Sequence, residues 1–176
     1  MTESESDQPT EPTSDESASE VSADLGARFL ARLIDSILLA IVFMVIIIPI
    51  FVVAIFSGSA GFAGVFGGGF GLGNIVGAII WAAAIIGYFA ILESSRGQSI
   101  GKMVMKLKTV GPDGENPSFE MAAKRDAWYA LGIIPILGGL AQLAAVIYIA
   151  ITISQSDTNT GWHDTFAGGT RVIKTG

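Results

Sequence analysis

Apolar segments alternate with polar ones along the chain, and two of these segments are long enough to predict membrane-crossing helices. Residues 33–56 contain a single charged residue, Asp35, and as a helix they would extend roughly 36 Å, which exceeds the thickness of a bilayer core. Pro49 predicts a kink in the far half of this helix. Residues 74–92 are apolar and end before Glu93. They predict a second crossing.

The third apolar region, residues 127–154, is interrupted by Pro135 and by Gly138-Gly139. The pieces on either side of these interruptions are each too short to span a bilayer alone. Two alternatives follow from this pattern. The region forms one kinked crossing, or it forms a re-entrant helical hairpin that returns the chain to the side from which it came.

Residues 93–126, between the second and third apolar regions, are polar. Residues 105–110 nearly alternate between apolar and polar side chains as a strand does, and residues 112–114 (Pro-Asp-Gly) are typical of a turn. A helix is expected to begin near Ser118, whose hydroxyl can cap it. The expected fold class is therefore an all-α integral membrane protein: a small bundle of about three membrane-embedded segments, with a short β-hairpin in this loop.

Composition agrees with this pattern and separates the chain into two parts. Hydrophobic residues make up 51% of the chain, charged residues 15%, and the mean hydropathy is +0.58, whereas soluble domains carry about 25% charged residues. Residues 1–24 contain eight acids and no base and carry a charge of −8, whereas the remaining residues carry +2, so the acidic segment determines the sign of the net charge of −6. We expect residues 1–24 to be a disordered acidic tail and residues 25–174 to form the membrane domain.

The same counts exclude several classes of function. The chain has no basic stripe of the kind that binds nucleic acid. It has no Cys, which excludes disulfides, thiolate metal sites and Cys nucleophiles. A phosphate-binding loop, a nucleophile elbow and paired catalytic carboxylates are also missing from the sequence. No enzymatic activity, catalytic residue, cofactor or metal is predicted.

The distribution of bases predicts the topology. The first loop, residues 57–73, has no Lys or Arg, residues 93–126 have six, and Arg28 and Arg32 precede the first span. By the positive-inside rule, the N-terminus and residues 93–126 lie in the cytoplasm of a multi-pass plasma-membrane protein, and residues 57–73 lie outside. The side of the C-terminus depends on the third region, and the re-entrant alternative, which we favour, places it inside.

Four short segments resemble one known family in the same order. Residues 28–35 (RFLARLID) are similar to R-L-x-A-x-x-I-D, and residues 97–102 (GQSIGK) are similar to G-Q-T-x-G-K. Residues 118–125 follow S-x-x-x-A-x-x-R, and residues 161–170 (GWHDTFAGGT) are similar to G-x-H-D-x-x-A-G-T. Together they cover residues 25–174 and resemble the RDD family of bacterial membrane proteins, named for one Arg and two Asp.

The resemblance carries over to individual positions. The family's Arg corresponds to Arg28, its first Asp to Asp35 and its second Asp to Asp164. Ser99 replaces the family's Thr, and one additional Gly lies between Ala167 and Thr170. The resemblance implies a membrane protein for which transport of an ion or ligand has been suggested, without an assigned activity.

The charged residues of the first span are the candidate coupling site. A carboxylate in the middle of a membrane helix costs about 2.5–3.5 kcal/mol or more, so Asp35 requires a protein or water environment and a partner. Arg28 lies seven residues earlier, on nearly the same helix face, and Arg32 lies three residues earlier. Two interpretations are open: a proton- or cation-binding site, or a structural ion pair that fixes the position of the helix.

The C-terminal segment supplies further candidates. His163 beside Asp164 could form a proton-transfer pair. Asp164 could instead cap a short helix or pair with Arg28 or Arg125, which would attach this segment to the bundle, and we favour that link. Glu93, together with Arg96, Lys102 and Arg125, is interpreted as a solvated rim of the membrane domain.

Two hypotheses for function follow. In the first, the protein transports or exchanges an ion or small ligand, with Asp35 as the coupling group. Three spans enclose little protein, so this hypothesis implies a homo-oligomer within the lipid bilayer. In the alternative, the protein is a non-transporting membrane adaptor or assembly protein, and its tail and residues 93–126 bind an unidentified protein partner.

Overall fold

The structure is a computed structural model that describes residues 21–56 and 72–175. Helix α1 is Leu25–Phe56 and helix α2 is Leu72–Arg96. Most of the predicted acidic tail, residues 1–20, and most of the first loop, residues 57–71, lie outside the described residues.

Three helices in the described part of the chain are long and apolar enough to cross a membrane. These segments are Leu25–Pro49 in α1, Ile75–Arg96 in α2, and Gly138–Gln155. Many of their apolar side chains are exposed, including Val45, Ile80 and Leu140. Surfaces of this kind require lipid or another protein. The expected helical membrane fold is confirmed.

The polar segment after α2 folds back against the bundle. Helix α3, Ile100–Val104, begins after Ser99, whose hydroxyl accepts a hydrogen bond from the Lys102 backbone amide. Helix α4, Phe119–Asp126, begins after Ser118, which caps it in the same way by accepting from the Met121 amide. The helix predicted near Ser118 is therefore present at that position.

Strand β1, Leu107–Val110, pairs antiparallel with strand β2, Arg171–Lys174. The strand near residues 105–110 is present as predicted. The prediction that it pairs with a second strand of the same loop was wrong. Residues 115–118 (Glu-Asn-Pro-Ser) offer no apolar side chains for a strand face and include a proline, which cannot donate to a ladder. Strand β2 instead supplies Val172, which packs with Leu107 in a small core at the start of α1.

The third apolar region is a helical hairpin with unequal limbs. A 3-10 helix, Ala127–Ile133, leads to helix α5, Gly138–Gln155, and helix α6, Trp162–Phe166, follows. The expectation that both pieces are too short to span was wrong for the second piece, because the two glycines begin α5 and do not interrupt it.

Both ends of this hairpin lie at the same end of the bundle. Asp126, just before the 3-10 helix, pairs with Arg32. Asp164, after α5, pairs with Arg28, one turn earlier on α1. The third region is therefore the helical hairpin of the two alternatives, and it returns the chain to the end of the bundle where it began.

Candidate functional site

Asp35 is held by hydrogen bonds from uncharged groups. Its carboxylate accepts from the Ser99 hydroxyl at 2.6 Å, the Gly101 amide at 2.7 Å and the Tyr88 hydroxyl at 2.9 Å. The residue is 1% exposed. Neither Arg28 nor Arg32 is among the recorded partners of Asp35 in the described residues. Of the two interpretations, the ion pair within α1 is not present, because both arginines pair with acids from distant segments.

The segment GQSIGK places two of these donors. Ser99 uses its hydroxyl both to cap α3 and to donate to Asp35. Gly101 lies where α3 crosses α1, and a Cβ at this position would lie 2.0 Å from the Ala31 carbonyl oxygen and 2.9 Å from the Asp35 Cγ. A side chain at residue 101 would therefore prevent the approach that lets its amide reach Asp35.

Glu93, at the end of α2, is the centre of a second group of charges. Its carboxylate accepts from Lys102 Nζ at 2.5 Å and from Arg125 Nη1 at 2.9 Å. Both cations also donate to the Thr109 hydroxyl, at 2.7 and 2.8 Å. Glu93 and Thr109 are each 0% exposed. The interpretation of these residues as a solvated rim was wrong for Glu93, Lys102 and Arg125, because α3, α4 and β1 cover them, while Arg96 is exposed.

Asp164 joins the C-terminal segment to the rest of the molecule. Its carboxylate lies 2.9 Å from Arg28 Nη1 and 2.8 Å from Arg125 Nε. It also accepts from the Gly161 amide at 3.0 Å and the Thr170 hydroxyl at 3.2 Å. Asp164 thereby caps α6 and links α1 to α4. Its pKa lies below the ordinary value: burial raises it, but the charges of Arg125 and Arg28 and the hydrogen bond from the Gly161 amide outweigh that effect.

Arg32 connects α1 to the start of the third region. Its Nη2 donates to Asp126 Oδ1 at 2.5 Å. Its guanidinium carbon lies 4.0 Å from the ring centroid of Phe89 on α2, a distance typical of cation–π contact. Asp126 is 0% exposed. Sequence analysis did not single out Asp126, whose position next to the predicted site residue Arg125 was the available signal.

His163 is buried beside Asp164, with its Nε2 3.8 Å from Asp164 Oδ1. This distance is too long for a hydrogen bond. Burial lowers the pKa of His163 to about 3, in spite of the nearby Asp164 carboxylate. The imidazole is therefore neutral at physiological pH. In the described part of the chain, no cluster of three His, Cys, Asp or Glu side chains is arranged for a metal ion.

The site as a whole contains equal numbers of acids and bases. Arg28, Arg32, Lys102 and Arg125 are balanced by Asp35, Glu93, Asp126 and Asp164. Glu93, Asp126 and Asp164 each form ion pairs, whereas Asp35 accepts hydrogen bonds from neutral donors only. Lys102 has a lowered pKa of about 8, since burial and the charge of Arg125 outweigh the attraction of Glu93.

A cavity of about 210 Å³ lies beside this network. Its polar lining comes mainly from α1 and from the segments that cover it: Arg28, Arg32, Asp35, Ser36, Lys102, Arg125, Trp128 and His163. Its apolar lining comes from α1 and α5, including Phe29, Leu33 and Val146. Five of the six predicted site residues therefore line one space, and the sixth, Asp164, lies directly behind it as the partner of Arg28 and Arg125.

Comparison with known proteins gives one match. A sequence model described as the RDD family matches residues 22–168, which is most of the chain. The segments that contain Arg28, Asp35 and Asp164 all fall within this range. Neither the curated proteins nor the solved structures contain a match to the chain.

Proposed function

The chain belongs to the RDD family, and on this premise we propose that it transports or exchanges an ion or small ligand across a membrane, with Asp35 as the coupling group. The observation that supports this proposal is the environment of Asp35. It is a buried carboxylate in a membrane-crossing segment, it lines a cavity, and its recorded partners are neutral.

The recorded partners of Asp35 are the Tyr88 hydroxyl, the Ser99 hydroxyl and the Gly101 amide, which are uncharged. They do not neutralise the carboxylate as an arginine would. A proton or cation that enters the cavity could therefore bind at Asp35. Arg28, Arg32 and Lys102 line the same cavity and repel a metal cation, so we favour the proton as the coupling ion.

The proposed assembly is a homo-oligomer in the lipid bilayer of the plasma membrane. Large apolar side chains on α1, α2 and α5 are exposed in the single chain, and lipid or further copies of the chain would cover them. We propose no enzymatic role for the site, because the carboxylates of Glu93, Asp126 and Asp164 are engaged in ion pairs.

The adaptor alternative has less support. It requires the acidic tail, most of which lies outside the described residues, and residues 93–126 to bind a partner protein. Lys102 and Arg125, two of the six bases in that segment, are buried in ion pairs with Glu93. They are therefore not available to a partner.

Replacing Asp35 by Asn is expected to abolish coupled flux. The substitution retains the size of the side chain but removes the charge on which proton coupling depends. Wild type and Asp35→Asn would be reconstituted in liposomes, and proton movement would be followed with an internal pH dye under gradients of Na⁺, K⁺ or inorganic phosphate. Glu120→Gln, at an exposed acid, is the matched control. Equal flux in wild type and Asp35→Asn, at equal protein incorporation, would contradict the proposed role of Asp35.

Residues 93–126 and the C-terminus are expected to lie on the same, cytoplasmic, side of the membrane. The chain has no Cys, so Ser59→Cys, Ser118→Cys and Thr175→Cys can each be labelled without background by a membrane-impermeant maleimide. We expect Ser118→Cys and Thr175→Cys to react only from the cytoplasmic side and Ser59→Cys only from outside. Labelling of Thr175→Cys from the same side as Ser59→Cys would contradict this topology.

A further inference from the structure

Four buried nitrogen atoms around the cavity have neither a hydrogen-bond partner nor an ion-pair partner in the described part of the chain. They are Arg28 Nη2, Arg32 Nη1, Trp128 Nε1 and His163 Nδ1. A fifth, Arg125 Nε, lacks a hydrogen bond but lies 2.8 Å from Asp164 Oδ1. Each belongs to a residue that lines the cavity. A buried donor without an acceptor costs free energy, and four unpaired nitrogens around one space indicate that something else occupies it. We propose that this cavity binds a phosphate group, either free or as the headgroup of a lipid.

The chemistry of the lining requires an acceptor. The guanidinium nitrogens of Arg28 and Arg32 and the indole nitrogen of Trp128 can only donate hydrogen bonds. Four cationic side chains line the cavity against one carboxylate, Asp35. The remaining acids of the network are already paired with these cations, and Asp164 and Asp126 each contact the terminal nitrogen of Arg28 or Arg32 that is not the unpaired one. An anion with several oxygens satisfies donors that arrive from different elements, and guanidinium groups match phosphate oxygens well.

The size and walls of the cavity fit this ligand. A volume of about 210 Å³ is several times the roughly 30 Å³ that one water occupies in the liquid. Arg28 is 8% exposed and His163 is 5% exposed, so a phosphate here would be largely shielded from solvent. Part of the cavity wall is apolar and exposed, and it is formed by Phe29, Leu33 and Val146. The acyl chain of a bound lipid would contact these side chains.

This inference goes beyond the proposed function because binding requires no transport. If the chain binds phosphate but moves no ion, the phosphate site in the cavity is supported and only the coupling role of Asp35 is contradicted. Flux measurements test that role, whereas equilibrium binding tests the cavity. The two proposals therefore fail separately.

The test is calorimetric titration of the purified full-length chain in a non-ionic detergent. The probes are inorganic phosphate, dioctanoyl phosphatidic acid and, as the ligand without phosphate, dioctanoylglycerol. Trp128→Phe removes one donor and retains the aromatic ring, and Arg32→Gln replaces the five N–H donors of the guanidinium by the two of an amide. Two control variants lie outside the cavity: Trp162→Phe changes another tryptophan, and Lys124→Gln changes another cationic side chain. Thermal unfolding of each variant identifies any that do not fold.

Phosphatidic acid is expected to bind, and Trp128→Phe is expected to weaken binding by about tenfold, the effect of one lost hydrogen bond to a charged ligand. If inorganic phosphate binds with the same dependence, a free phosphate is sufficient; if only phosphatidic acid binds, the ligand is a lipid headgroup. The proposal is overturned if neither phosphate compound binds, if dioctanoylglycerol binds as tightly as phosphatidic acid, or if the control variants weaken binding as much as Trp128→Phe.

Discussion

Gly101→Ala is expected to prevent the chain from reaching its native packing. The added methyl carbon would lie 2.0 Å from the backbone oxygen of Ala31, and a backbone carbonyl inside α1 cannot rotate away as a side chain would. Helix α3 would have to move away from α1, which breaks the hydrogen bond from the Gly101 amide to Asp35. We expect a destabilisation of about 3 kcal/mol or more from overpacking and the buried acceptor left unpaired.

Gly77→Ala is the matched control for this prediction. Gly77 lies in α2, and a Cβ there would contact nothing within 4 Å. Alanine forms helix more readily than glycine, so this variant should be at least as stable as wild type. Both proteins would be compared by thermal unfolding in detergent and by the fraction that elutes as a single species in size-exclusion chromatography. Equal behaviour of Gly101→Ala and Gly77→Ala would show that α3 does not cross α1 at this distance.

Local patterns in the sequence were sufficient for the two long helices and for the start of α4. Long apolar segments predicted α1 and α2, and Ser118 occupies the predicted cap position, which depends on neighbouring residues only. The strand near residues 105–110 was predictable for the same reason. Its partner was not, because β2 lies some 60 residues later and pairs through burial of Val172, which no local pattern indicates.

The partners of the charged residues could not be predicted from spacing. Arg28 and Asp35 share a helix face, yet a carboxylate from α6 reaches Arg28 at 2.9 Å. An acid at the end of an apolar span, such as Glu93, ordinarily faces water. Here the following segment folds back over it and supplies Lys102 and Arg125. In both cases the deciding contact comes from a distant segment, and a single sequence contains no record of that contact.

The ion pairs have a structural consequence beyond the site. Asp164 and Asp126 attach the two ends of the hairpin formed by the third region to Arg28 and Arg32, which are adjacent on one face of α1. The hairpin and the start of the first helix are thereby tied together at one end of the bundle. Loss of one of these acids should therefore destabilise the whole domain and not only its C-terminal segment.

Asp164→Asn is expected to destabilise the folded chain by about 3–5 kcal/mol, the usual result of removing one partner from a buried ion pair. The substitution keeps the shape of the side chain and leaves the guanidinium groups of Arg28 and Arg125 without the charge they face at 2.9 and 2.8 Å. Arg125 retains Glu93 as a partner, so Arg28 should be the more affected of the two. Thermal unfolding in detergent measures the loss.

Two further variants separate an ion-pair effect from a general effect of removing an acid. Glu120→Gln breaks an exposed pair with Lys124 and should leave the unfolding temperature unchanged, since exposed pairs contribute little. The double variant Arg28→Gln with Asp164→Asn removes the Arg28 guanidinium together with the carboxylate that it faces, while Arg125 keeps Glu93 as its remaining acid partner. Part of the stability lost in Asp164→Asn should therefore return. A double variant whose loss equals the sum of the two single losses would contradict a direct interaction between Arg28 and Asp164.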